Sequence, residues 1–108
     1  MAETSLILDL HAELMTYIKG ELDPEKLEEL KEVVKNKRKV TRFDISKCDT
    51  FEKVWEKLMS SMAIQHGQYN FLKEVLEQID MREVIPRINH IENQISNIRN
   101  SPVAMEQL

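Results

Sequence analysis

Glycine is nearly absent from this chain. Two glycines and three prolines in 108 residues are too few turn formers for a β-sandwich or barrel, which needs a turn signal about every 8–12 residues. They also leave no room for a glycine-rich phosphate loop. The single cysteine, Cys48, excludes an internal disulfide and any multi-cysteine zinc site, and points to a reducing compartment. Long apolar runs are missing too. The longest spans three residues, as in Leu6-Ile7-Leu8, against the roughly 20 that a membrane span needs. There is no excess of positive charge: the net charge is -4 and the pI about 5.4, so neither nucleic acid nor an anionic membrane is an expected partner. Met1-Ala2-Glu3-Thr4 lacks the basic start and apolar core of a signal peptide, and a cytoplasmic location is the expectation.

What is present is a helical pattern. Hydrophobic residues make up 42% of the chain and charged ones 31%, enough for one buried core with a charged surface. Ile7, Leu10, Leu14 and Ile18 recur at helical spacing, predicting a first helix from about Ser5 to Lys19, capped by Thr4 or Ser5 and stopped by Gly20. Asp23-Pro24-Glu25 is a helix start, with Leu27, Leu30 and Val34 as the buried stripe. Residues 35–48 read as a basic loop with at most one helical turn, pinned to the core by Phe43. Asp49 or Thr50 caps the next helix, whose inward set is Phe51, Val54, Trp55, Leu58, Met59 and Met62. Ile64 plugs the connection that ends at His66-Gly67. A fifth helix runs from about Gln68 to Ile79, with Tyr69, Leu72, Val75, Leu76 and Ile79 inward. Asp80-Met81-Arg82-Glu83 reads as a capping box. Pro86 falls near the first turn of a last helix carrying Val84, Ile88, Ile91, Ile95 and Ile98. The expected architecture is all-α. Residues 1–100 form one domain and residues 101–108 a disordered tail.

The order of these elements, with a short basic third one, resembles the death-fold superfamily, and within it most closely a death effector domain. Leu27-Glu28-Glu29-Leu30-Lys31 resembles the Leu-x-Glu-Leu-Lys of the family's second helix. Lys37-Arg38-Lys39 follows as a basic cluster. Leu58-Met59, Ile64-x-x-Gly67 and Phe71-Leu72-Lys73-Glu74-Val75-Leu76-x-x-Ile79 match the fourth and fifth helices in register. The likeness covers roughly Leu10 to Ile91. It implies a six-helix antiparallel Greek-key bundle with a short third helix and an extended sixth. A pyrin domain is the sister branch. Where the family carries Arg-x-Asp-Leu, this chain has Met81-Arg82-Glu83-Val84, and Lys26 stands at the acidic position of helix two. The resemblance therefore implies a rewired surface network of Lys26, Arg82 and Glu83.

Charge layout supplies the candidate interaction residues. Residues 21–32 hold six acids and two lysines, net -4; residues 35–42 hold five bases and no acid, net +5. Glu28, Glu29 and Glu32 form the expected acidic contact face. Lys37, Arg38, Lys39 and Arg42 form the basic one. Such complementarity sets register and association rate, and repeated head to tail it builds open assemblies. His11, His66 and His90 lie on three separate segments and read as surface or half-buried residues. Cys48 has no neighbouring histidine. No catalytic residue, metal site, cofactor or small-molecule substrate is expected. By resemblance, the function is homotypic or heterotypic association with other death-fold domains, in an apoptotic or innate-immune signalling complex, with a concentration-dependent homo-oligomer. The alternative is a structural module that dimerises through the isoleucine stripe from Val84 to Ile98.

Overall fold

The computed structural model describes the backbone of residues 2–100 and the side chains of residues 5–100. The proposed tail at 101–108 and a cap by the Thr4 side chain lie outside the described residues. Six helices follow in order: α1 Ala2–Glu21, α2 Pro24–Lys37, α3 Arg42–Ser46, α4 Phe51–Ser60, α5 Asn70–Gln78 and α6 Ile85–Arg99, with a 3-10 turn Arg82–Val84 before α6. No strand occurs among the described residues.

The helix boundaries follow from local chemistry where the partner is local. The Asp23 carboxylate accepts from the Lys26 N–H at 2.7 Å with Pro24 at the first helical position. Thr41 caps α3 at 3.1 Å and Thr50 caps α4 at 3.3 Å, while Asp49 instead pairs with Lys53. Several boundaries depart from the sequence reading, α5 among them, which spans Asn70–Gln78 rather than Gln68 to Ile79. Gly20 does not end α1, which runs on to Glu21; its φ is not positive, so it makes no left-handed cap. Ser5 lies inside α1 and caps nothing. α2 extends to Lys37, shortening the expected basic loop. Asp80-Met81-Arg82-Glu83 is not a capping box. Asp80 takes φ 63° and closes α5, with the Met81 N–H bonded to the Leu76 carbonyl at 2.9 Å, a left-handed position that aspartate tolerates better than most residues.

α5 begins without any cap of its own. Glu92 of α6 takes that role: its carboxylate accepts from the Tyr69 N–H at 2.9 Å and from the Lys73 ammonium at 2.7 Å. The α4–α5 connection reaches this point through a tight turn at Gln65–Gln68 with Gly67 at φ 85°. A β-carbon on Gly67 would come within 2.8 Å of Ile95 Cγ2, so this glycine serves both the turn and a close approach to α6.

The core is continuous across all six helices. Leu14, Ile18, Leu30, Val34, Val54, Leu58, Leu72, Val75 and Leu76 are fully buried. α1 packs most extensively on α6 and also on α4; α2 packs on α3 and α5, and α5 on α6. Val84, Ile88, Ile91 and Ile95 are all buried and Ile98 half-buried, so the isoleucine stripe lies inside the molecule. Two residues expected to point inward do not. Met62 is 66% exposed at φ 66°, just past the end of α4. Phe43 is 67% exposed; Val40, Ile45 and Cys48 anchor the third element instead. Ile45 and Cys48 are three apart and share a face, whereas Phe43, two before Ile45, sits roughly 200° away around the helix.

Candidate functional site

The α2–α3 segment concentrates positive charge. Arg38 ends α2 in the left-handed conformation, φ 61° and ψ 23°, and turns the chain so that Lys35, Arg38, Lys39 and Arg42 line one recess with Val40 and Thr41. Lys37 leaves that group to reach Glu74 of α5 at 3.5 Å. Arg42 touches the Asn36 amide oxygen at 3.4 Å. Beside the recess the Lys47 ammonium lies 4.1 Å from the centre of the exposed Phe43 ring, a cation–π contact that leaves the aromatic edge presented to solvent. The four residues of the expected basic face thus lie on one segment, three of them in one recess.

The expected acidic face is already engaged within its own helix. Glu28 pairs with Lys31 at 3.3 Å, Glu29 with Lys26 at 3.5 Å and Glu32 with Lys35 at 3.2 Å. A second acidic surface, not singled out in the sequence, lies where the α1–α2 and α3–α4 connections meet. There Leu22, Pro24, Leu27 and Phe51 line a groove of about 400 Å³. Its acidic lining is Asp23, Asp49 and Glu52, and its one cation, Lys19, bonds to Glu52. Hydrogen bonds from Lys53 and Lys19 hold the Asp49 and Glu52 carboxyls below their ordinary pKa.

The network expected between helices two and six is not assembled. The Lys26 ammonium donates to the Ile79 carbonyl at 2.6 Å and so closes the C-terminal end of α5. Arg82 and Glu83 are exposed in the 3-10 turn, and among the described residues no ion pair joins either to Lys26.

One polar cluster escaped the sequence reading. His11, expected at or near the surface, is 8% exposed. Its Nε2 accepts from the Trp55 indole N–H at 3.1 Å, and its Nδ1 lies 2.7 Å from the Tyr69 hydroxyl. An accepting Nε2 puts the proton on Nδ1, which donates to Tyr69. The His66 ring centre is 4.2 Å away. Burial, then the charge of His66, lower the His11 pKa to about 4. With both nitrogens committed, this imidazole is a buried structural link between α1, α4 and the start of α5. The signal was there: Ile7, His11, Leu14 and Ile18 keep the 4-3-4 spacing of a buried stripe. Cys48 is buried, donates to the Asp44 carbonyl at 3.4 Å, and burial pushes its thiol pKa up, the opposite of an activated thiol.

Among the described residues no group of three or more His, Cys, Asp or Glu side chains is placed to hold a metal ion, and no helix is long and apolar enough to cross a membrane. Neither a family model, nor a curated protein, nor a solved structure matches this chain.

Proposed function

We propose that this chain is a non-enzymatic interaction domain of the death fold, most similar to a death effector domain, whose six helices are wound as an antiparallel Greek key. It acts by homotypic association, with itself or with other death-fold domains, to assemble an apoptotic or innate-immune signalling complex. One observation carries this reading. The chain presents an exposed aromatic under one cation, Phe43 with Lys47, on the same segment as Arg42 and Lys39, and also an apolar groove with an acidic lining, Leu22, Leu27 and Phe51 with Asp23, Asp49 and Glu52. Knob and groove are complementary in shape class, and the groove keeps more acids than cations in its lining, with Asp49 paired to Lys53 and Glu52 to Lys19. They use different residues, so joining two copies leaves one of each surface free and the assembly stays open. Glu28, Glu29 and Glu32, each facing a lysine one turn away, flank that contact and tune it.

The test uses two variants, each with one surface removed. Phe43→Ala with Arg42→Glu removes the knob; Asp49→Lys with Glu52→Lys removes the acidic lining. Light scattering behind a sizing column measures molar mass against concentration. The unmodified chain is expected to grow with concentration and shrink in high salt. Each variant alone is expected to be monomeric, and the mixture to stop at a heterodimer. A monomeric mixture, or a variant that still grows, defeats the reading. Arg38→Glu is expected to weaken association without changing the circular dichroism spectrum.

A further inference from the structure

We infer that the recess between α2 and α3 is a binding site for a small anion carrying two or more phosphate groups. The first argument is where unpaired positive charge is found. Of the 15 lysines and arginines, eight lie within 4.0 Å of a carboxylate among the described residues. Of those with no such partner, Arg38, Lys39 and Arg42 line a single recess of about 390 Å³, joined there by Lys35. No carboxylate lines it. Compensation of the α2 C-terminal dipole explains one or two cations in the last turn, a role Lys35 and Lys37 already fill. It does not explain three more beyond the helix end in a chain of net charge -4.

The second argument is conformational. Arg38 occupies a left-handed cap position, φ 61°, where glycine is the favoured residue and a side chain is strained. Met62 and Asp80 share that conformation; of the three, Arg38 is the one that brings a guanidinium to the lining of a recess, and a charged side chain retained there at a strained position is the observation on which a function for it is argued. Two guanidinium groups, the Lys39 ammonium and the Thr41 hydroxyl line the recess, with the Lys35 ammonium held by Glu32 at 3.2 Å; this donor set suits a polyphosphate, since planar forks bind phosphate through paired charge-assisted bonds. The recess volume falls within the range of small-ligand sites, roughly 300–1,000 Å³. A soluble polyphosphate and the headgroup of a phosphoinositide share this chemistry. The recess shares Arg38, Lys39 and Arg42 with the proposed association surface; titration at concentrations where the chain is monomeric by light scattering keeps the failure of either reading distinguishable from that of the other.

The experiment is calorimetric titration of the whole chain with sodium pyrophosphate, and with sodium sulfate at equal ionic strength. Saturable binding at one site is expected, roughly tenfold or more tighter for pyrophosphate. Arg42→Gln and Arg38→Gly are each expected to cut pyrophosphate affinity by about tenfold. Arg38→Gly should at the same time raise the melting temperature, because glycine relieves the left-handed strain; its loss of binding is therefore not a loss of fold. Flotation with phosphatidylcholine vesicles, with and without phosphatidylinositol bisphosphate, separates the two sources. Vesicle binding that pyrophosphate displaces identifies the headgroup; pyrophosphate binding without flotation identifies a soluble ligand. Pyrophosphate held no more tightly than sulfate overturns the inference. So does unchanged affinity in both variants, or binding of duplex DNA by a chain that ignores pyrophosphate.

Discussion

His11 is the residue whose chemistry most constrains the molecule. Unfolded, its imidazole has the ordinary pKa of 6.5; folded, it is held at about 4. Above pH 6.5 both states are neutral and the group favours neither. Between pH 6.5 and 4 the unfolded chain takes up a proton that the folded chain refuses, so stability falls, by about 3 kcal/mol once pH is below the folded value. Urea denaturation between pH 7 and pH 4 should show that loss. His11→Phe should start lower at pH 7, by about 1–3 kcal/mol, because the Trp55 N–H and the Tyr69 hydroxyl lose their partner; its stability should then be flatter across the same window. Met62 makes the converse case. It is exposed and left-handed, so Met62→Gly should stabilise the fold by about 1 kcal/mol, seen as a rise in the urea midpoint with unchanged slope. Both residues mark the limit of periodicity as a guide. The 3-4 spacing runs through Met62 although the helix has already ended, and it also runs through His11, where a polar side chain masks the burial.

At the scale of elements, the caps separate what was legible from what was not. Asp23-Pro24 and Thr50 announce α2 and α4 because donor and acceptor lie three residues apart. The start of α5 could not be read that way: its cap, Glu92, is 23 residues further on, and only the packed structure brings them together. Thr50→Ala should cost about 1 kcal/mol. Glu92→Ala should cost more, about 1–3 kcal/mol, because it strips a half-buried ammonium and a backbone N–H at once. Hydrogen exchange should show the loss of protection concentrated at the first turn of α5. By sequence the third element reads as a pinned loop because its apolar residues follow no period; five residues are too few to establish one. Ile45 and Cys48 anchor it because the chain turns helically after the Thr41 cap, which brings both to the core side.

For the whole molecule, the all-α class, the helix order and most of the core were legible, since Leu30, Val54, Leu72, Ile88 and their neighbours follow clean helical spacing. Leu30→Ala or Leu72→Ala should each cost about 2–5 kcal/mol in chemical denaturation. The proposed interaction surface was only half legible. Runs of like charge identify Arg38 and Lys39, but Asp23, Asp49 and Glu52 come from two connections and meet only in space. Burial of the isoleucine stripe also changes which experiment separates the two kinds of assembly. Truncation after Glu92 removes the buried Ile95 and should unfold the chain. Ile98→Asp alters only the half-buried end of the stripe; it should leave molar mass unchanged if knob and groove join the copies, and reduce a stripe-driven dimer to monomer.

The chain has a single tryptophan, and its indole N–H is hydrogen-bonded to His11. The fluorophore is thus wired to one titrating group, and it lies at the junction of the first, fourth and fifth helices. A protonated imidazole withdraws electrons from an excited indole more strongly than a neutral one does. Emission should therefore dim as the folded chain is acidified toward pH 4, before any red shift signals solvent reaching the ring. That dimming, if measured, would make the tryptophan emission a label-free gauge of His11 protonation in the folded chain.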